Sequence, residues 1–226
     1  GLTLTNGTTY YISVRATDNV GNVSTVATAD GITVDTDNPV LTTPIEGSLA
    51  TDIDYQNSGS ELIISWSGSD SASGIAFYEY ALGTTSGATD AVTWTAAGTA
   101  TAETLTGLSL TEGSTYYLSV RATDAAGNVS SVSTADGITI DLTAPSGSTV
   151  SDGTGDDITY SGSDTTLSAN WSAFTETVSG LQKYEYAIGT TSGGADVLIW
   201  TNNSTTTSVT KTGLTLTSGS TYYISV

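Results

Sequence analysis

The chain has 226 residues, of which 23 are acidic and only 4 basic, for a net charge of −19, and Cys, His and Met are absent. Disulfides, thiol chemistry, His-based metal sites and Ser–His or Cys–His nucleophiles are therefore excluded. So is nucleic-acid binding through a run of phosphates, because so acidic a surface repels phosphate and anionic lipid alike. A hydrophobic content of 37% with 25 Gly suits a globular chain. No apolar run approaches the roughly 18 residues of a membrane span.

The first stretch, Gly1–Pro39, reads GLTLTNGTTYYISVRATDNVGNVSTVATADGITVDTDNP and returns almost unchanged at Gly107–Pro145. It begins a third time at Gly213, so the starts at 1, 107 and 213 are spaced by 106 residues. A fixed period of that length marks an array of whole domains rather than a solenoid of small units. The chain spans two periods and 14 residues. We expect residues 1–38 to be the C-terminal strands of one repeat, 39–144 a complete repeat, and 145–226 the N-terminal part of a third. The chain reads as a window on a longer tandem protein, and neither end piece is expected to fold alone, since each would expose a sheet edge.

Within the complete repeat the signals are short and alternating, with clusters of Gly, Ser, Asp and Asn between them and no useful helical period. Glu61–Trp66 places Leu62, Ile64 and Trp66 on one face. Ile75–Leu82 groups Tyr78, Tyr80 and Leu82, and Ala91–Thr95 carries Trp94. After Glu103–Leu108 comes a turn at Thr111–Ser114. Thr115–Thr123 then turns Tyr116, Leu118, Val120 and Ala122 inward and Tyr117, Ser119 and Arg121 outward, and Ser130–Ile140 closes the repeat. With the segment after Pro39 this predicts about seven strands, and an all-β fold of tandem antiparallel β-sandwiches. The third repeat carries the same items at Leu167, Ala169, Trp171, Tyr184, Tyr186, Ile188 and Trp200. Its loop before Tyr184 is one residue longer, a change that a loop absorbs without turning a strand over.

An early Trp strand, a Y-x-Y-x-L strand, and the run Leu110–Gly113–Tyr116–Val120–Ala122 together resemble the fibronectin type III domain. The resemblance implies that Tyr116 is the tyrosine-corner residue, its hydroxyl meeting nearby backbone. The loop Asp124–Ser130, D-x-x-G-N-x-S, and the joint Asp141–Pro145 look like those of bacterial Ig-like and fibronectin-like surface repeats. The likeness covers essentially the whole chain, but it speaks to fold more than to function, because such modules serve many hosts. No RGD is present.

Calcium is the one cofactor to which the residues point. The loops holding Asp18 and Asn22, and Asp124 and Asn128, offer carboxylate and amide oxygens, which are hard ligands suited to Ca²⁺. The competing reading is a tight turn, in which Asp and Asn bond their own backbone and Gly takes a positive φ. The joints are stronger candidates: Asp35 and Asp37 precede Pro39, Asp141 precedes Pro145, and the loops at Asp52–Asp54 and Asp156–Asp157 could face a neighbour. Oxygens from two adjacent domains would stiffen the joint. Tyr117, Trp94 and Trp200 would suit a sugar platform, although an aromatic on a sandwich strand more often covers a core or a sheet face. The N-x-S/T triplets decide nothing in so Ser- and Thr-rich a chain. For catalysis, a carboxylate pair such as Glu176 with Asp157 is conceivable for glycoside chemistry, but the acids differ between repeats and the chain reads as no enzyme.

The reading is therefore architectural: a stalk, adhesin shaft or surface filament of a long bacterial extracellular protein. Its partners would be neighbouring repeats and other copies in a fibre. Two rivals are a carbohydrate-binding accessory module of a secreted enzyme, and a subunit that polymerises by β-strand complementation. Against the second stands the overlap of Gly213–Val226 with Gly1–Val14, two segments that would compete for one place.

Overall fold

The computed structural model describes every residue except Ser148. Short β-forming runs between Gly-, Ser- and Asp-rich turns leave no room for a helix, and every regular element among the described residues is a strand. The chain forms two compact units, Gly1–Leu142 and Thr143–Val226.

In the first unit, residues 45–140 form a sandwich of two sheets, antiparallel but for one edge pairing. In one sheet Glu61–Ser65 lies between Ile45–Glu46 and Ala102–Thr106. In the other the order is Val92–Gly98, Ile75–Gly83, Thr115–Asp124 and Ile138–Ile140, with Tyr55–Gln56 added in parallel at the edge. Ile75–Gly83 and Thr115–Asp124 set Tyr78 opposite Ala122, Tyr80 opposite Val120 and Leu82 opposite Leu118. These side chains meet Leu62, Ile64 and Trp66 from the facing sheet in one buried core. The expected alternation is what places them there: a strand sends every second side chain to the same face. Burying each large aliphatic residue stabilises the fold by about 1.5–3 kcal/mol.

The tyrosine corner forms as expected, with the Thr111 backbone N–H donating to the Tyr116 hydroxyl at 3.1 Å. Tyr10 and Tyr222, one period away on either side, accept from Thr5 and Thr217 at 2.9 Å in the same manner.

Three details differ from the sequence expectation. Ser119 faces outward yet is fully buried, because its small side chain lies between Ala81 and Thr134 in the sheet and shares a hydrogen bond with Thr134. The closing segment breaks into Ser133–Thr134 and Ile138–Ile140 around Gly137, whose φ of +106° is a left-handed backbone no strand continues through. The opening segment breaks likewise, into Val40–Leu41, Ile45–Glu46 and Tyr55–Gln56. Alternation reveals a strand's face but not where the chain bends to change partners.

Gly1–Val34 contributes two small pairings, Thr9–Tyr10 with Ile32–Thr33 and Ser13–Val14 with Ala27–Thr28. Ile12 and Val14 are 68% and 62% exposed, whereas Leu118 and Val120, one period later, are fully buried. Among the described residues, the facing sheet that covers the second pair has no counterpart over the first.

The second unit has the same halves in shorter form. Val150–Asp152, Leu167–Trp171 and Ser208–Lys211 make one sheet, and Leu198–Asn202, Glu185–Gly189 and Tyr223–Ser225 the other. Ala169, Trp171 and Tyr184 are buried together, with Phe174 against Tyr184. The strands keep their register while the loop before Tyr184 takes up the extra residue.

Candidate metal centre

The loop after Thr115–Asp124 folds as it does because each residue of its D-x-x-G-N-x-S pattern has a task. The Asp124 carboxylate accepts from the backbone N–H of Ala126 and Asn128 at 2.9 and 2.8 Å, and from the Asn128 side-chain amide at 2.8 Å. Gly127 supplies the positive φ, and the Ser130 hydroxyl accepts from the Ala122 N–H at 3.0 Å, tying the loop back to its strand. The loop at Asp18 repeats this arrangement: Asp18 accepts from the N–H of Val20 and Asn22 and from the Asn22 side chain. Both loops are thus Asx turns.

A second loop, Asp70–Gly74, is pinned by one oxygen of Asp70, which accepts from the N–H of Ala72, Ser73 and Gly74 at 3.1, 2.9 and 2.9 Å. It touches the first loop through the Ala125 N–H, which donates to the Gly74 carbonyl at 3.1 Å. The third element is the chain leaving Ile32–Thr33. There one Asp35 oxygen accepts from the Asp37 N–H at 3.0 Å, and the Asp35 carbonyl accepts from the Asn128 side chain at 3.3 Å.

These three elements converge. One carboxylate oxygen each from Asp35, Asp70 and Asp124 lies within 4.8 Å of the other two. Asp124 is 2% exposed. Burial works to raise its pKa, but the hydrogen bonds from Asn128, Gly127 and Ala126 outweigh burial, and the net direction is down. Asp70 is lowered as well, first by the Ser73 N–H. Donors that stabilise the carboxylate keep both charged at neutral pH.

Of the residues expected to bind a metal, Asp35, Asp124 and Asn128 thus come together. Asp37 does not join them; it accepts from the Asn6 side chain at 2.7 Å. Asp18 and Asn22 bond to one another within their own turn, and the Asp141 N–H donates to the Gln56 carbonyl at 2.9 Å. Sequence reasoning missed Asp70. Its signal was available, because Asp70-x-x-Ser73-Gly74 recurs 106 residues later as Glu176-x-x-Ser179-Gly180.

A second acidic group, Glu46 with Asp52 and Asp136, lies inside the complete repeat. Glu46 is fully buried, and its two oxygens accept from the Leu118 and Gly137 N–H at 2.6 and 3.0 Å. Burial pushes its pKa up to about 7, although those two donors act against the rise. Asp152 occupies the position 106 residues later and is also raised by burial, with the Asp157 charge adding to it.

Of the aromatic candidates, Trp94 carries the Arg121 guanidinium 4.5 Å above its ring, and Arg121 also pairs with Glu79 at 2.7 Å. Trp200 is half exposed.

No family model and no curated protein matches the sequence. Among solved structures it is similar to the chicken CNTN1 FN1–FN3 domains at 18% identity, with a TM-score of 0.43, covering 93% of this chain and 68% of that one. That likeness is too distant to bear on what this chain does. The all-β sandwich rests on the sheets themselves and the tyrosine corners.

Proposed function

We propose that the chain is an architectural segment of a long extracellular repeat protein, a stalk, shaft or filament whose repeats serve to set distance. The observation that carries this reading is what recurs from one period to the next. The recurring residues build the core, the tyrosine corner and the joint. At the first joint the Asn6 side-chain oxygen accepts from the Thr36 N–H at 2.9 Å, and 106 residues on the Glu112 carboxylate accepts from the Leu142 N–H at 2.5 Å. A latch that reappears in the same place with different chemistry is under demand for its geometry. A surface charge of −19 keeps such an array hydrated and apart from other polyanions.

An antibody raised against the complete repeat tests this on the source cells. Labelling of intact cells, with a denatured polypeptide far above 22.9 kDa, is expected. Labelling only after lysis, or a single species near that mass, refutes it.

A further inference from the structure

We infer that Asn6 is a deamidation site, and that its conversion to an acid irreversibly unlatches the joint at residues 35–37. The chemistry is local to residues 5–37; only its meaning for a joint rests on the architectural reading.

Asn6-Gly7 is the one Asn–Gly pair in the sequence. Asn followed by Gly is especially prone to succinimide formation, because no Cβ shields the Gly nitrogen and the Gly backbone turns freely. Both residues are exposed, and Gly7 has a φ of +74°. In the reaction the Gly7 nitrogen attacks the side-chain carbonyl carbon of Asn6. A C–N bond forms, the side-chain nitrogen leaves as ammonia with the Gly7 proton, and water then opens the ring. The products are Asp and isoaspartate, with no change of oxidation state.

The fold holds the reacting groups apart. The Gly7 N–H donates to the Val34 carbonyl at 2.8 Å. On the Asn6 side chain, the oxygen accepts from the Thr36 N–H at 2.9 Å and the nitrogen donates to Asp37 at 2.7 Å. Nucleophile and electrophile are thus both tied to the chain at residues 34–37. The ring closes only when these hydrogen bonds open, so conversion counts openings of the joint.

The consequence of conversion is legible one period later. Position 112 is already an acid, and Glu112 accepts from the Leu142 N–H. The counterpart of Asp37 there is Thr143. An amide thus goes with an acid in one period, and an acid with a neutral residue in the next. An acid at position 6 would instead meet Asp37 where an N–H donor now spans 2.7 Å. A carboxylate has no proton to donate, and two like charges at that range repel. Isoaspartate also adds a carbon to the backbone of the turn in which the Thr8 N–H donates to the Thr5 carbonyl at 3.2 Å.

The test incubates the whole chain at mildly alkaline pH and follows the mass of its tryptic peptide Gly1–Arg15. That peptide holds a single Asn and no Asp, so its amide-to-acid mass gain reads Asn6 alone. A synthetic peptide of residues 1–15 supplies the rate without the latch. Conversion in the chain is expected at least tenfold slower than in the peptide, and severalfold faster in Asp37→Ala than in the parent. Hydrogen exchange at the Thr36 amide reads the consequence. Asn6→Asp is expected to speed it severalfold, and adding Asp37→Asn, which restores the amide–acid pair in reverse, to slow it again. No conversion in the chain, conversion as fast as in the peptide, or no acceleration in Asp37→Ala overturns the site. Thr36 exchange unaltered by Asn6→Asp, or unrestored by the second change, overturns the switch. Either failure, with intact cells still labelled and a large polypeptide still found, leaves the architectural reading standing. Conversion as expected, with labelling only after lysis, refutes the architecture and leaves the modification site.

Discussion

Glu46 gives the most demanding test of the fold's energetics. It is fully buried, and its folded pKa stands at about 7 against an ordinary 4.5, raised first by burial. Between those two values the folded state holds a proton that the unfolded chain has lost. Stability from this group is therefore complete below pH 4.5 and is lost as pH rises towards and through 7. A displacement of that size corresponds to about 3 kcal/mol. The lowered acids Asp70, Asp124 and Asp18 act in the opposite sense and only in the range below their ordinary 3.8, so they do not mask it.

Glu46→Gln removes the proton equilibrium while retaining one acceptor. Its amide nitrogen then meets the N–H of Leu118 or Gly137, losing a hydrogen bond at a cost of about 1–2 kcal/mol. The variant should be slightly weaker than the parent at pH 5, more stable than it by about 1–2 kcal/mol at pH 8, and nearly flat between. Hydrogen exchange at the Leu118 amide in urea, corrected for intrinsic rates, reads this unit apart from the second. A parent whose stability is level from pH 5 to 8, or a variant with the parent's slope, refutes the reasoning.

Trp66→Ala empties a site packed 6.1 Å from Tyr78 and 5.8 Å from Tyr80 by ring centroids. It should cost about 3–5 kcal/mol, seen as a marked fall in the thermal midpoint of the first unit; an unchanged midpoint is inconsistent with Trp66 as a core residue. Tyr116→Phe removes only the hydroxyl that accepts from the Thr111 N–H. A loss of about 1–2 kcal/mol is expected with the far-ultraviolet spectrum unchanged, and urea denaturation measures it.

Local pattern determined the strands and their faces. Leu62, Ile64, Tyr78, Tyr80, Leu118 and Val120 stand at every second position of their strands, and a strand's twofold period converts that order into one buried face. The 106-residue period exposed the modular plan, because recurrence needs no coordinates. The turn at Asp124–Ser130 was legible for the same local reason: Asp, Gly and Asn satisfy their own backbone within a few residues.

Convergence was the part that only the tertiary structure decided. Asp35 and Asp124 are 89 positions apart and Asp70 lies between them on a third loop. Nothing in their spacing distinguishes them from Asp37 or Asp141, which belong elsewhere. The same holds for Glu46, to which the sequence assigned no role. Its burial depends on Leu118 and Gly137, 72 and 91 residues away, offering N–H groups across the sandwich. A side chain's hydrogen-bond partners at such separations follow from how the sheets pack, and packing is a property of the whole fold.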